Sequence, residues 1–186
     1  MNHIGTKTIE TPRLILRRFT LGDARAMYDN WASDDQVTKF MTWPTHQSVD
    51  ISGMVLTDWV SHYAEDNYYQ WAIVPKALGQ PIGSIAAVHI HDRVASVEIG
   101  YCIGKAWWHQ GIMSEALGAV IAFFLDEVGM NRVEACHDPN NPHSGGVMKK
   151  CGMRYEGTHR QASYNNQGLC DISRYAILAC DREKTK

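Results

Sequence analysis

The 186-residue chain carries 18 lysine and arginine residues against 20 aspartate and glutamate residues, a net charge of −2. This balance argues against a nucleic-acid-binding protein, which usually has a basic surface, and a composition that is 45% hydrophobic and 20% charged argues against a disordered chain. The five cysteines are widely spaced with no C-x-x-C pair, so we expect neither a disulfide framework nor a zinc ribbon. The most apolar run, residues 119–125, is too short to span a bilayer. We therefore expect one cytoplasmic domain over residues 1–186, with no membrane partner.

The first half of the chain predicts strands interrupted by two helices. Alternating residues at 13–19 indicate a first strand, and Thr20 with Asp23 resembles a capping box that begins a helix reaching about residue 30. Residues 32–44 are polar and predict an irregular segment, and apolar residues at helical spacing predict a second helix over 49–63. Strand patterns at 69–74, 82–89 and 96–103, separated by turn residues, then predict an antiparallel meander.

The second half predicts a long helix followed by a hairpin. An apolar stripe over 113–128 predicts the longest helix, with Gly129 where a helix C-cap glycine belongs. A short strand at 132–136 and a short helix at 142–150 follow. Two last strands, at about 154–159 and 171–178, flank a polar hairpin. The fold class is α+β (mixed α/β) with a largely antiparallel sheet.

The segment EIGYCIGKAWWHQGIMSEA, residues 98–116, holds the strongest chemical signal. A strand leads through the loop 107–112 directly into the long helix, whose N-terminus presents unpaired amides and a partial positive charge to anions. Gly111 allows close approach of a phosphate, and Ser114 can cap the helix or donate to a phosphate oxygen. The segment is neither a Walker motif nor a dinucleotide fingerprint. An ordinary strand–turn–helix stays open as the alternative.

The following passage makes the pattern more specific. In HDPNNPHSGGVMKKCGM, Asn141 and Ser144 stand three residues apart at the start of a short helix, so both side chains can face one cleft. Together with TPRLILRRF, WASDDQVTKFMTWP, EIGYCIGKAWWHQGIMSEAL and DISRYAIL, this chain resembles the GNAT superfamily of acyl-CoA N-acyltransferases. Within it, the chain is similar to the ribosomal-protein N-terminal alanine and serine acetyltransferases. The resemblance implies a seven-stranded, mostly antiparallel, splayed sheet flanked by about four helices.

The resemblance also implies a binding site for acetyl-CoA. The pantetheine arm would pair with the backbone of Tyr101, Cys102 and Ile103, and Asn141 would hydrogen-bond to it. The pyrophosphate would lie on the loop formed by Trp108, His109, Gln110, Gly111, Ile112, Met113 and Ser114. Trp108 and Met113 depart from the family pattern, which usually has Gln or Arg at the first of these positions and Gly or Ala at the second. Because backbone amides hold the phosphates, these changes need not abolish binding.

Two residues are candidates for catalysis. Glu98 lies between Val97 and Ile99 on the strand before the loop, where a partly desolvated carboxylate can accept the proton of an amine. A solvent-facing or ion-paired Glu98 is the alternative. Ser144 is the candidate donor to the leaving thiolate, with a helix N-cap role as its alternative. The family implies direct attack, without a covalent enzyme intermediate.

The resemblance places the acceptor site between residues 31–44, the second helix and the hairpin at 160–168. Asp34 would favour a cationic amine there, and Trp43 and Tyr164 would line the pocket. The expected acceptor is a primary amine, on a small molecule or on a peptide or protein N-terminus. No metal is expected, because His89 and His91 have no evident third ligand. Two alternatives stay open: a non-catalytic acyl-CoA-binding sensor or interaction module, and transfer of a longer acyl chain. Assembly as a homodimer is also open.

Overall fold

The computed structural model describes residues 1–183. In this range the strands are β1 Ile9–Glu10, β2 Leu14–Arg17, β3 Gln70–Pro75, β4 Gly83–His91, β5 Ser96–Ile103, β6 Arg132–His137, β7 Arg154–Asn165 and β8 Gly168–Leu178. The α-helices are α1 Ala24–Met27, α2 Asp35–Thr38, α3 Val49–Ser61, α4 Ile112–Ala122, α5 Pro142–Lys150 and α6 Ala179–Glu183. π-Helical turns continue α1 over Tyr28–Ala32 and α4 over Phe123–Val128. Among these helices of residues 1–183, none combines the length and apolar character needed to cross a bilayer.

The strands form one sheet in the order β1-β2-β3-β4-β5-β6-β8-β7. Every neighbouring pair is antiparallel except β5 and β6, which are parallel. These two strands pair only where Ser96–Glu98 faces Arg132–Glu134, although β5 stays paired with β4 as far as Ile103. Beyond Glu98 the sheet is therefore split, and one edge of β5 is free to pair with something else. The splayed sheet that the resemblance implied is confirmed, and the split lies between β5 and β6.

The sheet has eight strands rather than seven. The additional strand is β1, whose two residues pair with β2 and are too few to show alternation in the sequence. Strands β7 and β8 also extend into the polar hairpin, because register shifts after Tyr155 and His159 let the ladder continue. The segment predicted as irregular contains α2, where the Asp34 carboxylate accepts a hydrogen bond from the Gln36 amide at 2.8 Å and begins the helix.

Two hydrophobic cores position the elements. The larger core packs the sheet against α4, with Trp71 meeting Phe123 edge to face at 5.5 Å between ring centroids. The smaller core packs the segment from α1 to α3 against the sheet around Phe19, Trp31 and Leu56. Because this helical segment has its own core, it forms a fixed wall beside the splayed strands.

The start of the first helical segment is held by an ion pair. Arg17 donates to both carboxylate oxygens of Asp23, each at 2.8 Å, and the Thr20 amide donates to Asp23 Oδ2 at 2.8 Å. Burial raises the pKa of Asp23, but these hydrogen bonds outweigh burial and hold the pKa below its ordinary value. The Thr20–Asp23 contact predicted from the sequence is therefore part of a larger clamp.

Candidate active site

Two cavities meet where the sheet is split. The first, of about 360 Å³, is lined by the end of β5, the loop before α4 and the start of α5, and we name it the loop cavity. The second, of about 610 Å³, is lined by the α1–α3 segment, β4, β5, the end of β6 and the hairpin, and we name it the aromatic cavity. Five residues line both cavities, and we name them the junction: Met41, Tyr101, Cys102, Asn141 and Ser144. Molecules bound in the two cavities would touch at the junction.

The loop between β5 and α4 has the geometry of an anion site. His109 and Gly111 adopt φ values of 60° and 74°, and α4 begins at Ile112 with Gly111 as its N-cap. Arg13 supports the loop from outside, donating to the Gln110 carbonyl at 3.0 Å and pairing with Glu115 at 2.6 Å. The residues of the first turn of α4 line this cavity, and their amides have no intrahelical acceptor, so they are available as donors to an anion.

Most of the residues predicted for cofactor binding line this cavity. They are Tyr101, Cys102, Ile103, Trp108, His109, Gly111, Ile112, Met113, Ser114 and Asn141. Gln110 does not line it, because its side chain turns back to donate to the Ala106 carbonyl at 2.8 Å. Ser114 lies within α4, and the N-cap position that was one of its predicted roles is taken by Gly111.

Met113 and Trp108, the two residues that depart from the family pattern, each have a structural explanation. The Met113 side chain is buried in the larger core, so it does not fill the loop. The Trp108 indole Nε1 donates to the Ile103 carbonyl at 2.9 Å and packs against the smaller core. One backbone group of the predicted pantetheine-binding edge therefore already has a partner inside the protein.

Ser144 lies at the junction beside the phenol of Tyr101. The Tyr101 hydroxyl is 3.1 Å from the Ser144 Oγ and also donates to the Ser144 carbonyl at 3.1 Å. Burial raises the pKa of Tyr101 above its ordinary value, so the phenol keeps its proton. The N-cap of α5 is Asn141, and the Ser144 side chain is thus not the cap of this helix. The pair presents two hydroxyl groups to whatever occupies the junction.

Glu98 lines the aromatic cavity with its side chain 13% exposed. Its Oε1 accepts a hydrogen bond from the Cys136 thiol at 3.0 Å, and its Oε2 lies 3.5 Å from Arg174 Nη1. Burial and the Glu98 carboxylate raise the pKa of Cys136 to about 12, so the thiol stays a donor and is not a thiolate nucleophile at neutral pH. The carboxylate is thus held between two groups while remaining on the cavity wall.

The structure separates the three residues predicted for the acceptor pocket. Trp43 and Tyr164 line the aromatic cavity, Trp43 from the segment after α2 and Tyr164 from the hairpin. Asp34 lines neither cavity, because its carboxylate caps α2. The carboxylate that does line the cavity, besides Glu98, is Asp138, which is buried and accepts a hydrogen bond from Asn165 at 2.8 Å.

Several contributors were not identified from the sequence. The phenol of Tyr101 was missed because only its backbone was considered. Arg174 reaches Glu98 through the register of β8 against β6, where it faces Cys136, and that register cannot be read from local pattern. His143 was also missed; its ring meets that of His109 at 4.7 Å at the loop cavity. The pairing of two exposed histidines, one in the loop before α4 and one in the first turn of α5, left no local signal.

Comparison with known proteins identifies the family. A model of the acetyltransferase (GNAT) domain matches residues 13–154. The chain belongs to the GNAT acetyltransferase family. It is therefore an acetyltransferase that takes its acetyl group from acetyl-CoA, as the resemblance implied. Among the described residues, no group of three or more histidine, cysteine, aspartate or glutamate side chains could hold a metal ion.

Relatives of this GNAT acetyltransferase extend the match. The protein named uncharacterized N-acetyltransferase YoaA, from Bacillus subtilis (strain 168), is 29% identical over 170 residues, which are 91% of this chain and 96% of that protein. The ribosomal-protein-serine acetyltransferase of Escherichia coli (strain K12) is 32% identical over 97 residues, 52% of this chain and 54% of that protein. The microcin C7 self-immunity acetyltransferase MccE, solved with acetyl-CoA and AMP, superposes with a TM-score of 0.81 at 19% identity, covering 90% of this chain and 93% of that chain. At this identity the superposition shows the shared fold.

Proposed function

We propose that this GNAT acetyltransferase moves the acetyl group of acetyl-CoA to a primary amine by direct attack at the junction. The observation that carries the proposal is the shared wall of the two cavities. A donor in the loop cavity and an acceptor in the aromatic cavity would have their reacting ends together at Tyr101 and Ser144, which line both cavities. The same hydroxyls and the nearby Glu98 supply the polar groups that acyl transfer needs.

The loop cavity suits the donor. Acetyl-CoA supplies the activated acetyl thioester. The first-turn amides of α4, with Gly111 at the closest approach, would hold the pyrophosphate, and the free edge of β5 near Tyr101 and Cys102 would pair with the pantetheine arm. Asn141 faces both cavities and would hydrogen-bond to the same arm. MccE, a structural neighbour, was solved with acetyl-CoA, which agrees with this assignment.

Glu98 would act as the general base. It would take the proton that the attacking amine loses as the nitrogen–carbon bond forms, directly or through one water. The Cys136 thiol and Arg174 would keep its carboxylate in one orientation. This one hydrogen bond and one ion pair would leave the remaining lone pairs of the carboxylate to the cavity, where the amine must approach.

Ser144 and Tyr101 would assist the departing sulfur. Negative charge develops on the sulfur as the carbon–sulfur bond breaks, and a hydroxyl donor at the junction stabilises it. The Tyr101 phenol, held neutral by burial, would keep the Ser144 hydroxyl oriented. The proton taken up by Glu98 is later returned to solvent or to the thiolate, so no residue remains modified.

The donor site is tested by thermal shift and calorimetric titration with acetyl-CoA. A ligand that binds the folded protein raises its melting temperature by mass action. The variant Gly111→Leu should lose this shift. Gly79→Leu is the matched control, because Gly79 is also exposed with a φ of 72° but belongs to the β3–β4 turn, outside both cavities. The control should suffer similar backbone strain and still bind.

The reaction is tested by thiol release with a panel of primary amines. Turnover with at least one amine, together with an acetylated product of the expected mass, supports the proposal. Binding of acetyl-CoA without thiol release for any amine would favour a non-catalytic acyl-CoA-binding module. Comparing acetyl-CoA with succinyl-CoA and longer thioesters would show whether a larger acyl group is preferred.

A further inference from the structure

The walls of the aromatic cavity differ sharply in character. One wall comes from the α1–α3 segment and, apart from Thr42 and His46, is apolar: Met27, Trp31, Phe40, Met41, Trp43, Val55 and Trp59. Except for Phe40, these residues belong to or pack on the smaller core, which keeps the wall in place. The wall on the sheet side carries Glu98 on β5 and Asp138 after β6. A ligand that satisfies both walls has an apolar body and a polar, positively charged end.

The two carboxylates give the cavity an acidic character. Glu98 and Asp138 line it, and no lysine or arginine does among the described residues, although three histidines (His46, His89 and His137) line it as well. Arg174 approaches Glu98 but is absent from the lining. An ammonium group would be attracted to this cavity, whereas a carboxylate or phosphate on the same ligand would find no lysine or arginine among the described lining residues and would face two carboxylates.

The hairpin turn between β7 and β8 is hydrogen-bonded to both sides of the cavity. Asn166 donates from its amide to the Met41 carbonyl at 3.1 Å, and from its side chain to the carbonyls of Thr38 and Trp43, each at 2.9 Å. On the other side, Asn165 donates to Asp138 at 2.8 Å in a buried hydrogen bond. The turn thus joins the aromatic wall to the acidic wall. Because these contacts hold the turn against both walls, the turn limits the room for a bulky acceptor such as the N-terminus of a folded protein.

We propose that the acceptor is a small arylalkylamine: one primary amine on a short chain, a flat apolar body and no anionic group. This proposal rests on the proposed function, because it names the acceptor of the same reaction. The ring lies on the tryptophan-rich wall near Trp43 and Trp59, and the amine reaches Glu98. The cavity volume, about 610 Å³, is that of a small-molecule site.

The test compares amines that differ in one feature, by kcat/KM for thiol release at saturating acetyl-CoA. Phenethylamine has an aromatic ring that butylamine lacks, and phenylalanine carries a carboxylate that phenethylamine lacks. Spermidine and a peptide with an N-terminal serine complete the panel. We expect phenethylamine to exceed each of the others at least tenfold. A higher value for phenylalanine, spermidine or the peptide would overturn the proposal.

Two variants test the walls separately. Trp43→Ala should lower kcat/KM for phenethylamine at least tenfold and leave butylamine within threefold; an equal loss for both amines would contradict the assigned contact. Asn166→Ala should raise kcat/KM for the peptide relative to phenethylamine, because the hairpin is released. Gln167→Ala is its matched control, since the neighbouring Gln167 is exposed and only its backbone amide is hydrogen-bonded. If Asn166→Ala leaves kcat/KM for the peptide unchanged relative to phenethylamine, the hairpin turn does not restrict the acceptor.

The amine panel also distinguishes the arylalkylamine assignment from the general proposal of acetyl transfer to a primary amine. If a different amine class is acetylated best, the arylalkylamine assignment fails while the acetyltransferase function stands. If acetyl-CoA raises the melting temperature but none of the amines releases thiol, the proposed function fails and the acceptor assignment fails with it.

Discussion

Replacing Glu98 by glutamine removes the proposed base with little change of shape. The amide keeps an oxygen that can accept the Cys136 hydrogen bond. The loss is confined to the charge that faces Arg174 at 3.5 Å, and the Arg174 side chain is 36% exposed. A partly exposed pair of this kind contributes about 0–1 kcal/mol to stability. For a chain of this size, that corresponds to a fall of at most about 4 °C in melting temperature.

The effect on the rate should be far larger than the effect on stability. A positioned general base typically contributes about 10²–10⁴-fold to the rate, or about 2.7–5.4 kcal/mol of transition-state stabilisation. We therefore expect Glu98→Gln to lower kcat by at least about a hundredfold. The affinity for acetyl-CoA should not change, because Glu98 lines the aromatic cavity and not the loop cavity. Thiol release and titration calorimetry measure the two quantities independently.

A nearby carboxylate provides the control. Glu134 faces Glu98 in the parallel register of β5 and β6, pairs with Arg132 at 2.9 Å, and lines neither cavity. Glu134→Gln should therefore keep kcat within about threefold of wild type, the scale of a single surface ion pair. A Glu98→Gln enzyme whose kcat stays within tenfold of wild type would refute the assignment of the base, whatever happens in the control.

Further predictions concern the junction hydroxyls, the packing around two glycines and the pH dependence of stability. Tyr101→Phe and Ser144→Ala should each lower kcat by about 2- to 12-fold, which is the rate effect of losing one hydrogen bond. The affinity for acetyl-CoA should not change. Fully additive losses in the double variant would show that the two hydroxyls do not act as a unit. Gly83→Ala should lower the free energy of unfolding, measured in urea, by about 3 kcal/mol or more, because the added Cβ would lie 2.3 Å from the Cys102 carbonyl oxygen. Gly118→Ala in α4 is the control. Its Cβ would meet nothing within 4 Å, and it should raise the free energy of unfolding by about 0.5–1 kcal/mol. Burial lowers the pKa of His46, so the unfolded chain binds its proton more readily and stability should fall as the pH drops below about 6.5. The lowered pKa of Asp23 adds a second loss below about pH 4 that Asp23→Asn should abolish, as acid unfolding curves would show.

Elements specified by local pattern were predicted closely. The strand Ser96–Ile103 and the helix Pro142–Lys150 have the predicted bounds, and Gly129 ends the long helical segment with a φ of 78°. In each case neighbouring residues carry the information: alternation, a proline in the first turn, and a glycine able to adopt the left-handed conformation. The loop before α4 was predictable for the same reason, since a strand, a glycine and a helix N-terminus follow one another directly.

Contacts between distant strands were beyond such reasoning. Glu98, Cys136 and Arg174 come together because β6 lies between β5 and β8, with Cys136 facing Arg174. Nothing near any one of them indicates the other two. Asp34 shows the opposite problem: an acidic residue in the expected acceptor region also fits a helix cap, and the local hydrogen bond to Gln36 decided its position.

The junction itself follows from how the split sheet is bridged. Glycine at position 145 lets α5 approach the end of β6, since a Cβ there would lie 2.5 Å from the His137 ring. This approach brings Ser144 to Tyr101, so the gap between β5 and β6 is crossed by a pair of hydroxyls where a backbone ladder would otherwise run. Side-chain donors can turn toward a ligand, whereas ladder amides are committed to their partners. The place where the sheet lacks its own hydrogen bonds is therefore the place where the protein can offer them to a reacting thioester and amine.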